Sequence, residues 1–263
     1  MQYLRYQNNK YMSPMFKPSV IAKHFPSFVF YVSLMFIILK ASRAARKGTY
    51  NDDDWLKSSN EVLEALEKIG VRVEVSGIEN IKGVEGPLII VGNHMSMMET
   101  LLLPAIVGPI KEVTFVVKES LLDYPVFKYI MRSRNPIALT RTNPRQDLKT
   151  ILTEGVDRLK KSVSIIVFPQ TTRAHRFDPA QMSSIGVKLA RKAGVTVVPL
   201  ALKTDCWENG KRFKDFGRLN VRKTAYFAFG RPLIISGKGD VEQEHINTFI
   251  CSKLAEWEPS KNK

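Results

Sequence analysis

The sequence predicts an α/β fold: a mainly parallel central sheet flanked by helices, preceded by an N-terminal hydrophobic helical segment that associates with a membrane. Three observations lead there. Short runs rich in β-branched and aromatic residues recur along the chain, helical stretches separate them, and one uncharged apolar run stands near the N-terminus between basic flanks.

The apolar run comes first. Phe25 to Leu39 reads FPSFVFYVSLMFIIL, with Lys23 and His24 before it and Lys40, Arg43, Arg46 and Lys47 after it. A straight spanning helix wants about 20 apolar residues, so this length fits an interfacial segment or a buried core helix. A cleaved signal peptide is discounted, because the run begins late and leads straight into basic sequence. Arg5, Lys10 and Lys17 add charge on the near side, so the positive-inside rule gives no crossing direction and both ends are expected on the cytoplasmic side. An apolar body in acyl chains with cationic flanks on anionic headgroups is how a monotopic protein holds a bilayer. The expected place is therefore the cytoplasmic face of the inner (plasma) membrane, with residues 1–50 as the membrane-associating segment and 51–263 as one globular domain.

That domain opens with an amphipathic helix from Asp54 to Ile69, stopped by Gly70. Strand-like runs follow: VRVEV from Val71, PLIIV from Pro87, VTFVV from Val113, PIAL from Pro136, VSIIVF from Val163, VTVVPLAL from Val195 and YFAF from Tyr226. Helices are expected over Glu99 to Ile106, Asn143 to Lys161 with Pro144 in its first turn, Gln181 to Ala193 ended by Gly194, and Asp240 to Trp257.

Composition narrows the function classes. With 263 residues, 44% hydrophobic and 25% charged, the chain is an ordinary folding sequence. Its two cysteines, Cys206 and Cys251, lack any ligand or disulfide spacing, which argues against a zinc site. A formal net charge of +15 favours an anionic partner: nucleic acid, anionic lipid or a phosphorylated small molecule. The basic residues form no long block and no nucleic-acid-binding motif, so no nucleic-acid partner is expected.

Chemistry-bearing residues gather where strands end, which is where α/β proteins place ligands. PLIIV runs into Gly92-Asn93-His94-Met95-Ser96-Met97-Met98-Glu99. On one continuous helix His94 and Glu99 would point about 140° apart. Their pairing requires His94 in the loop, where Glu99 could hold one ring nitrogen and leave the other free to take a proton. Ser96 and Glu99 also match a capping box, which explains Glu99 without catalysis. The second strand end is Phe168-Pro169-Gln170-Thr171-Thr172-Arg173. There the Arg173 guanidinium, with Thr171 or Thr172, suits a phosphate. Lys118 and Arg141 stand at two further strand ends, and in a parallel sheet all four ends share one edge. Each cation taken singly also reads as a surface charge.

These residues resemble the glycerolipid acyltransferase family, which includes the 1-acylglycerol-3-phosphate acyltransferases. The resemblance covers roughly Val71 to Leu202. Asn93-His94 through Glu99 is similar to its first motif, with glutamate in place of aspartate. Lys118-Glu119-Ser120-Leu121 through Arg141 resembles the second, Phe168 through Arg173 the third, and Val198-Pro199 the fourth.

The resemblance implies an acyltransferase domain over 51–263, and an enzyme of phospholipid synthesis. His94 would be the general base and Glu99 its orienting partner. Lys118, Arg141, Thr171, Thr172 and Arg173 would hold the acceptor phosphate. It implies acyl-CoA or acyl carrier protein as donor, a lysophospholipid as acceptor, membrane lipids around them, and no metal or bound cofactor. Gln170 and Thr171 depart from the family's Glu-Gly, which puts the acceptor in question. Those departures also motivate another class of reading, a non-catalytic lipid-binding protein of the same fold.

Overall fold

In a computed structural model, the structure describes residues 4–170, 172–210 and 214–258. The strands are β1 (Tyr11–Met12), β2 (Arg72–Ser76), β3 (Ile89–Gly92), β4 (Val113–Lys118), β5 (Ile137–Leu139), β6 (Ser164–Val167), β7 (Val197–Lys203) and β8 (Thr224–Phe229). The helices are α1 (Val20–His24), α2 (Pro26–Arg46), α3 (Asp52–Lys68), α4 (Glu79–Lys82), α5 (Met98–Val107), α6 (Phe127–Ser133), α7 (Pro144–Lys160), α8 (Ile185–Ala193) and α9 (Asp240–Glu256).

All seven expected runs are strands of one sheet, ordered β1-β2-β8-β7-β3-β6-β4-β5. From β7 to β5 the neighbours are parallel. The run YFAF becomes an antiparallel neighbour of β7, and β2 then pairs parallel to it. Antiparallel neighbours need no crossover helix, so the chain between β7 and β8 is free to be an irregular arm.

Strands buried on both faces explain why these runs read as unbroken apolar stretches. In β3, Ile90 joins one apolar cluster with Phe30, Leu66, Leu102 and Ile166. Its neighbours Ile89 and Val91 join the opposite cluster with Ile151, Leu189 and Ile246. Alternation along the strand thus assigns α2, α3 and α5 to one face and α7, α8 and α9 to the other.

Helix boundaries follow their caps. Asn51 accepts from the Asp54 backbone N–H while Asp54 accepts from that of Asn51, so α3 starts two residues before the expected Asp54. Residues Pro179–Gln181 form a 3-10 turn capped by Asp178, so α8 begins later than expected and ends at left-handed Gly194 (φ 68°).

The apolar run continues through Lys40–Arg46, giving an α2 of 21 residues that is long and apolar enough to cross a membrane. One side of it is core and the other an exposed apolar surface. Phe30, Leu34, Ile38 and Ala41, at i, i+4 and i+3 spacings, are buried where α2 packs against α3 and α6, whereas Phe25, Phe28, Val32, Met35 and Phe36 are exposed.

A strap before α1 is tied to α3 through a buried carboxyl. The Tyr11 hydroxyl donates to Glu67 Oε1 at 2.5 Å and Ser13 Oγ donates to it at 2.6 Å. Burial raises the Glu67 pKa above the usual carboxylate range, and the two donors only partly offset this. A carboxyl whose folded pKa is raised contributes most at low pH and loses that contribution as pH rises through the folded value. Glu67→Gln keeps the acceptor oxygen without the buried charge. It is expected to melt above the unaltered chain at pH 8, with the advantage vanishing towards pH 4. Parallel melting curves across that range check it, and an advantage that grows on acidification would refute it.

Candidate functional site

Gly92 ends β3 against β7, where a Cβ would come within 3.0 Å of the Leu200 carbonyl oxygen. Asn93 then takes over the ladder with its side chain. Its Nδ2 donates to the Leu202 carbonyl at 2.8 Å, and its Oδ1 accepts from the Leu202 N–H at 2.8 Å. This two-way pair fixes where the chain leaves the sheet, so His94 begins the loop from a defined point.

His94 is held on several sides. Its backbone N–H donates to Gln170 Oε1 at 2.6 Å, and its carbonyl accepts from the Ala174 N–H at 3.0 Å. The ring stacks on Phe168 with centroids 4.5 Å apart and planes 7° from parallel. Nδ1 lies 2.9 Å from Glu99 Oε1, and 16% of the side chain stays exposed. Opposite an ionised carboxylate, Nδ1 carries the proton. Nε2 then presents a lone pair and has no hydrogen-bond partner among the described residues.

Glu99 is fully buried yet ionised. Oε1 also accepts from the N–H groups of Met95 (2.6 Å) and Ser96 (2.9 Å), and Oε2 accepts from Ser96 Oγ (2.9 Å) and Thr204 Oγ1 (2.7 Å). Burial pushes its pKa up, but the hydrogen bond and charge of His94, the Ser96 N–H and the Thr204 hydroxyl outweigh it and leave the carboxyl below its ordinary value. Ser96 Oγ meanwhile accepts from the Met98 N–H at 3.1 Å. Helix α5 itself starts from Met97 without a side-chain cap bond, so of the expected capping box only the Ser96 N–H to Glu99 half is made, by the same carboxylate that holds the histidine.

The strand ends line up as the parallel register requires. Along the order β3-β6-β4-β5 come His94, the loop to Arg173, Lys118 and Arg141. Lys118 is exposed at the last position of β4. Arg141 sits in a left-handed turn (φ 61°), steadied by its N–H on Asp147 Oδ2 at 2.8 Å. Arg173 is ion-paired through Nη2 with Asp215 Oδ1 at 2.6 Å, and Thr172 Oγ1 accepts from Lys214 Nζ at 3.0 Å. Thr171 lies outside the described residues. A separate groove of about 630 Å³ between α1, α2 and α3, lined by Phe16, Val29, Phe36 and Lys68, does not include His94. Among the described residues no cluster of histidine, cysteine or carboxylate side chains could hold a metal.

Sequence reasoning missed four contributors. Thr204 directly follows β7, so the strand-end rule that picked His94 applies to it as well. Gln170 stood in the motif but was counted as a lost charge, although its amide oxygen anchors His94. The stacking role of Phe168 was hidden in an apolar run, and Asp215 lies in an irregular arm with no pattern to mark it.

Comparison with known proteins bears on this arrangement. The acyltransferase family model matches residues 72–203, from β2 to the end of β7. The 1-acyl-sn-glycerol-3-phosphate acyltransferase of Pseudomonas aeruginosa is 36% identical over 198 residues, which is 74% of this chain and 73% of that protein. A chloroplastic 1-acyl-sn-glycerol-3-phosphate acyltransferase of Arabidopsis thaliana is 27% identical over 131 residues, 50% of this chain and 36% of that one. The crystal structure of the 1-acyl-sn-glycerophosphate acyltransferase PlsC from Thermotoga maritima shares the fold, with a TM-score of 0.69 at 21% identity over 92% of this chain and 99% of its own. With the matched span enclosing the whole strand edge that carries His94, Glu99, Lys118, Arg141 and Arg173, the chain belongs to the acyltransferase family.

Proposed function

We propose that this acyltransferase moves a fatty acyl group from acyl-CoA or acyl carrier protein to the free hydroxyl of 1-acylglycerol-3-phosphate, or of a kindred lysophospholipid, in phospholipid synthesis. The observation that carries the reading is a histidine with Nδ1 on an ionised, buried glutamate and Nε2 unpartnered among the described residues, on a strand edge that also bears Lys118, Arg141 and Arg173. The names of the relatives supply the acceptor class.

In this mechanism the acceptor hydroxyl gives its proton to His94 Nε2 as its oxygen attacks the thioester carbonyl. The new ester C–O bond forms, the C–S bond breaks, and the departing thiolate takes the proton from Nε2. Glu99 stabilises the imidazolium that exists between these transfers. The cations grip the acceptor phosphate and so fix its hydroxyl near the base. Gln170, one of the two departures that suggested a non-catalytic relative, holds His94 in place, so its share of that motive falls away. Residues 1–50 serve as a monotopic anchor on the cytoplasmic face of the membrane: the outer side of α2 enters the acyl chains while Arg43, Arg46 and Lys47 meet headgroups. Residues 51–263 form the catalytic domain.

The test is thiol release from acyl-CoA, and in parallel from acyl carrier protein, in vesicles with and without each lysophospholipid. Release is expected only with an acceptor and fastest with 1-acylglycerol-3-phosphate. Arg173→Ala is expected to raise the acceptor KM by about 10- to 100-fold while the donor KM stays within about twofold. Acyl transfer that ignores both the acceptor phosphate and Arg173 would sink the assignment.

A further inference from the structure

Residues 204–223 link β7 to β8, and their described part forms an arm that touches two otherwise separate regions. Rungs from the Glu208 N–H to the Arg218 carbonyl (3.0 Å) and from the Asn220 N–H to the Cys206 carbonyl (2.8 Å) stiffen it. At Gly217 the two sides cross so closely that a Cβ would lie 1.7 Å from the Glu208 carbonyl oxygen, a position only glycine tolerates.

The base of the arm is seated on α2. Trp207 is buried edge-on against Phe30 at 4.9 Å, the Tyr31 hydroxyl donates to the Gly217 carbonyl at 2.5 Å, and Ser27 Oγ accepts from the Leu219 N–H at 2.9 Å. The other side of the same helix exposes Phe28, Val32 and Met35. The arm then reaches both halves of the site. Asn209 Nδ2 donates to the Met95 carbonyl at 2.9 Å beside His94, Lys214 holds Thr172, and Asp215 holds Arg173.

We propose that Asp215 is a positioning residue for the acceptor-binding arginine, carried on an arm whose seat is the membrane-facing helix; this rests on reading Arg173 as a ligand of the acceptor phosphate. The contact is a single one, through Nη2 alone. Among the described residues the remaining guanidinium donors have no partner, and a phosphate binds such a fork through two parallel N–H groups. Whichever Nη2 hydrogen serves the carboxylate, one two-donor edge stays open for the phosphate, so Asp215 orients Arg173 rather than competing for it. With side-chain exposures of 15% for Arg173 and 25% for Asp215, the pair is largely shielded from water, which is where a fixed orientation is worth most.

Steady-state kinetics of the full chain in lysophosphatidate-containing vesicles test this. Asp215→Ala is expected to raise the acceptor KM by about tenfold and to leave the donor KM unchanged, the loss that follows when one charge-assisted hydrogen bond is removed. Asp215→Asn keeps the accepting oxygen and should restore most of the affinity. Tyr31→Phe, which removes the hydroxyl tie to Gly217, should shift the acceptor KM in the same direction, and the double variant should be no worse than Asp215→Ala alone. A lower acceptor KM in Asp215→Ala would mean that the carboxylate competes with phosphate, and an unchanged one that it does nothing there; either overturns the proposal. So would equal rises in both KM values together with a lowered melting temperature. Failure of the unaltered chain to acylate any lysophospholipid would reject the functional reading, and this inference with it.

Discussion

Replacing His94 with alanine is expected to lower kcat by about 10²- to 10⁴-fold, the usual worth of a positioned general base. The fold should survive, because what ties this loop to the rest of the site is backbone: the His94 N–H on Gln170 and its carbonyl on the Ala174 N–H both persist without the ring. The ring's stacking on Phe168 is lost, at a cost of about 0.5–1.5 kcal/mol. Glu99 keeps the Met95, Ser96 and Thr204 donors, so no charge is left bare in the core. Since the ring acts on a proton that moves only in the transition state, both KM values should change little while kcat falls. Single-turnover acyl transfer with a melting curve of the same sample decides it. Activity within about tenfold of the original, with the fold intact, would take the base role away from His94.

How far this was readable beforehand depended on whether a signal was local. The strands were legible because β-branched runs such as PLIIV and VTVVPLAL report burial on both faces, and α7 was legible because Asn143-Pro144 is a start signal in itself. The order β3-β6-β4-β5 could not be read, yet the four strand ends share one edge as expected, because any parallel arrangement brings them there. The His94–Glu99 spacing was ambiguous because separation in sequence says nothing about a loop that folds back, and the same glutamate satisfied a capping pattern. What resolves it is tertiary: Thr204 and Gln170, far away in sequence, hold the carboxylate and the histidine from the other side. The antiparallel turn into β8 and the arm before it stayed hidden for the opposite reason. Their contacts, Asp215 with Arg173 and Tyr31 with Gly217, join segments with no shared periodicity.

Glu99 should divide stability from chemistry in a way that His94 does not. Glu99→Ala strips the acceptor from the buried Met95 and Ser96 N–H groups and from His94 Nδ1. Unsatisfied buried donors cost about 1–3 kcal/mol each, so a loss of about 3–5 kcal/mol is expected, enough to unfold a marginal domain. Glu99→Gln behaves differently. Its amide oxygen can keep the contacts made by Oε1, and its NH₂ can donate to Ser96 Oγ and Thr204 Oγ1 once those hydroxyls turn. The fold is retained but the imidazolium loses its counter-charge, so kcat should fall by about 10²-fold or more. The pH dependence separates the two effects. Because the folded pKa of Glu99 lies below its ordinary value, the ionised carboxylate contributes stability that is fully present above about pH 4.3, the unfolded value, and is lost as pH falls through the folded one. The part of the stability gap between the unaltered chain and Glu99→Gln that the carboxylate supplies should therefore shrink as pH falls below about 4.3. Chemical denaturation on either side of that value measures it. A gap that does not narrow in acid would mean that residue 99 enters the fold already protonated, and a neutral carboxyl there could not hold His94 as the base requires.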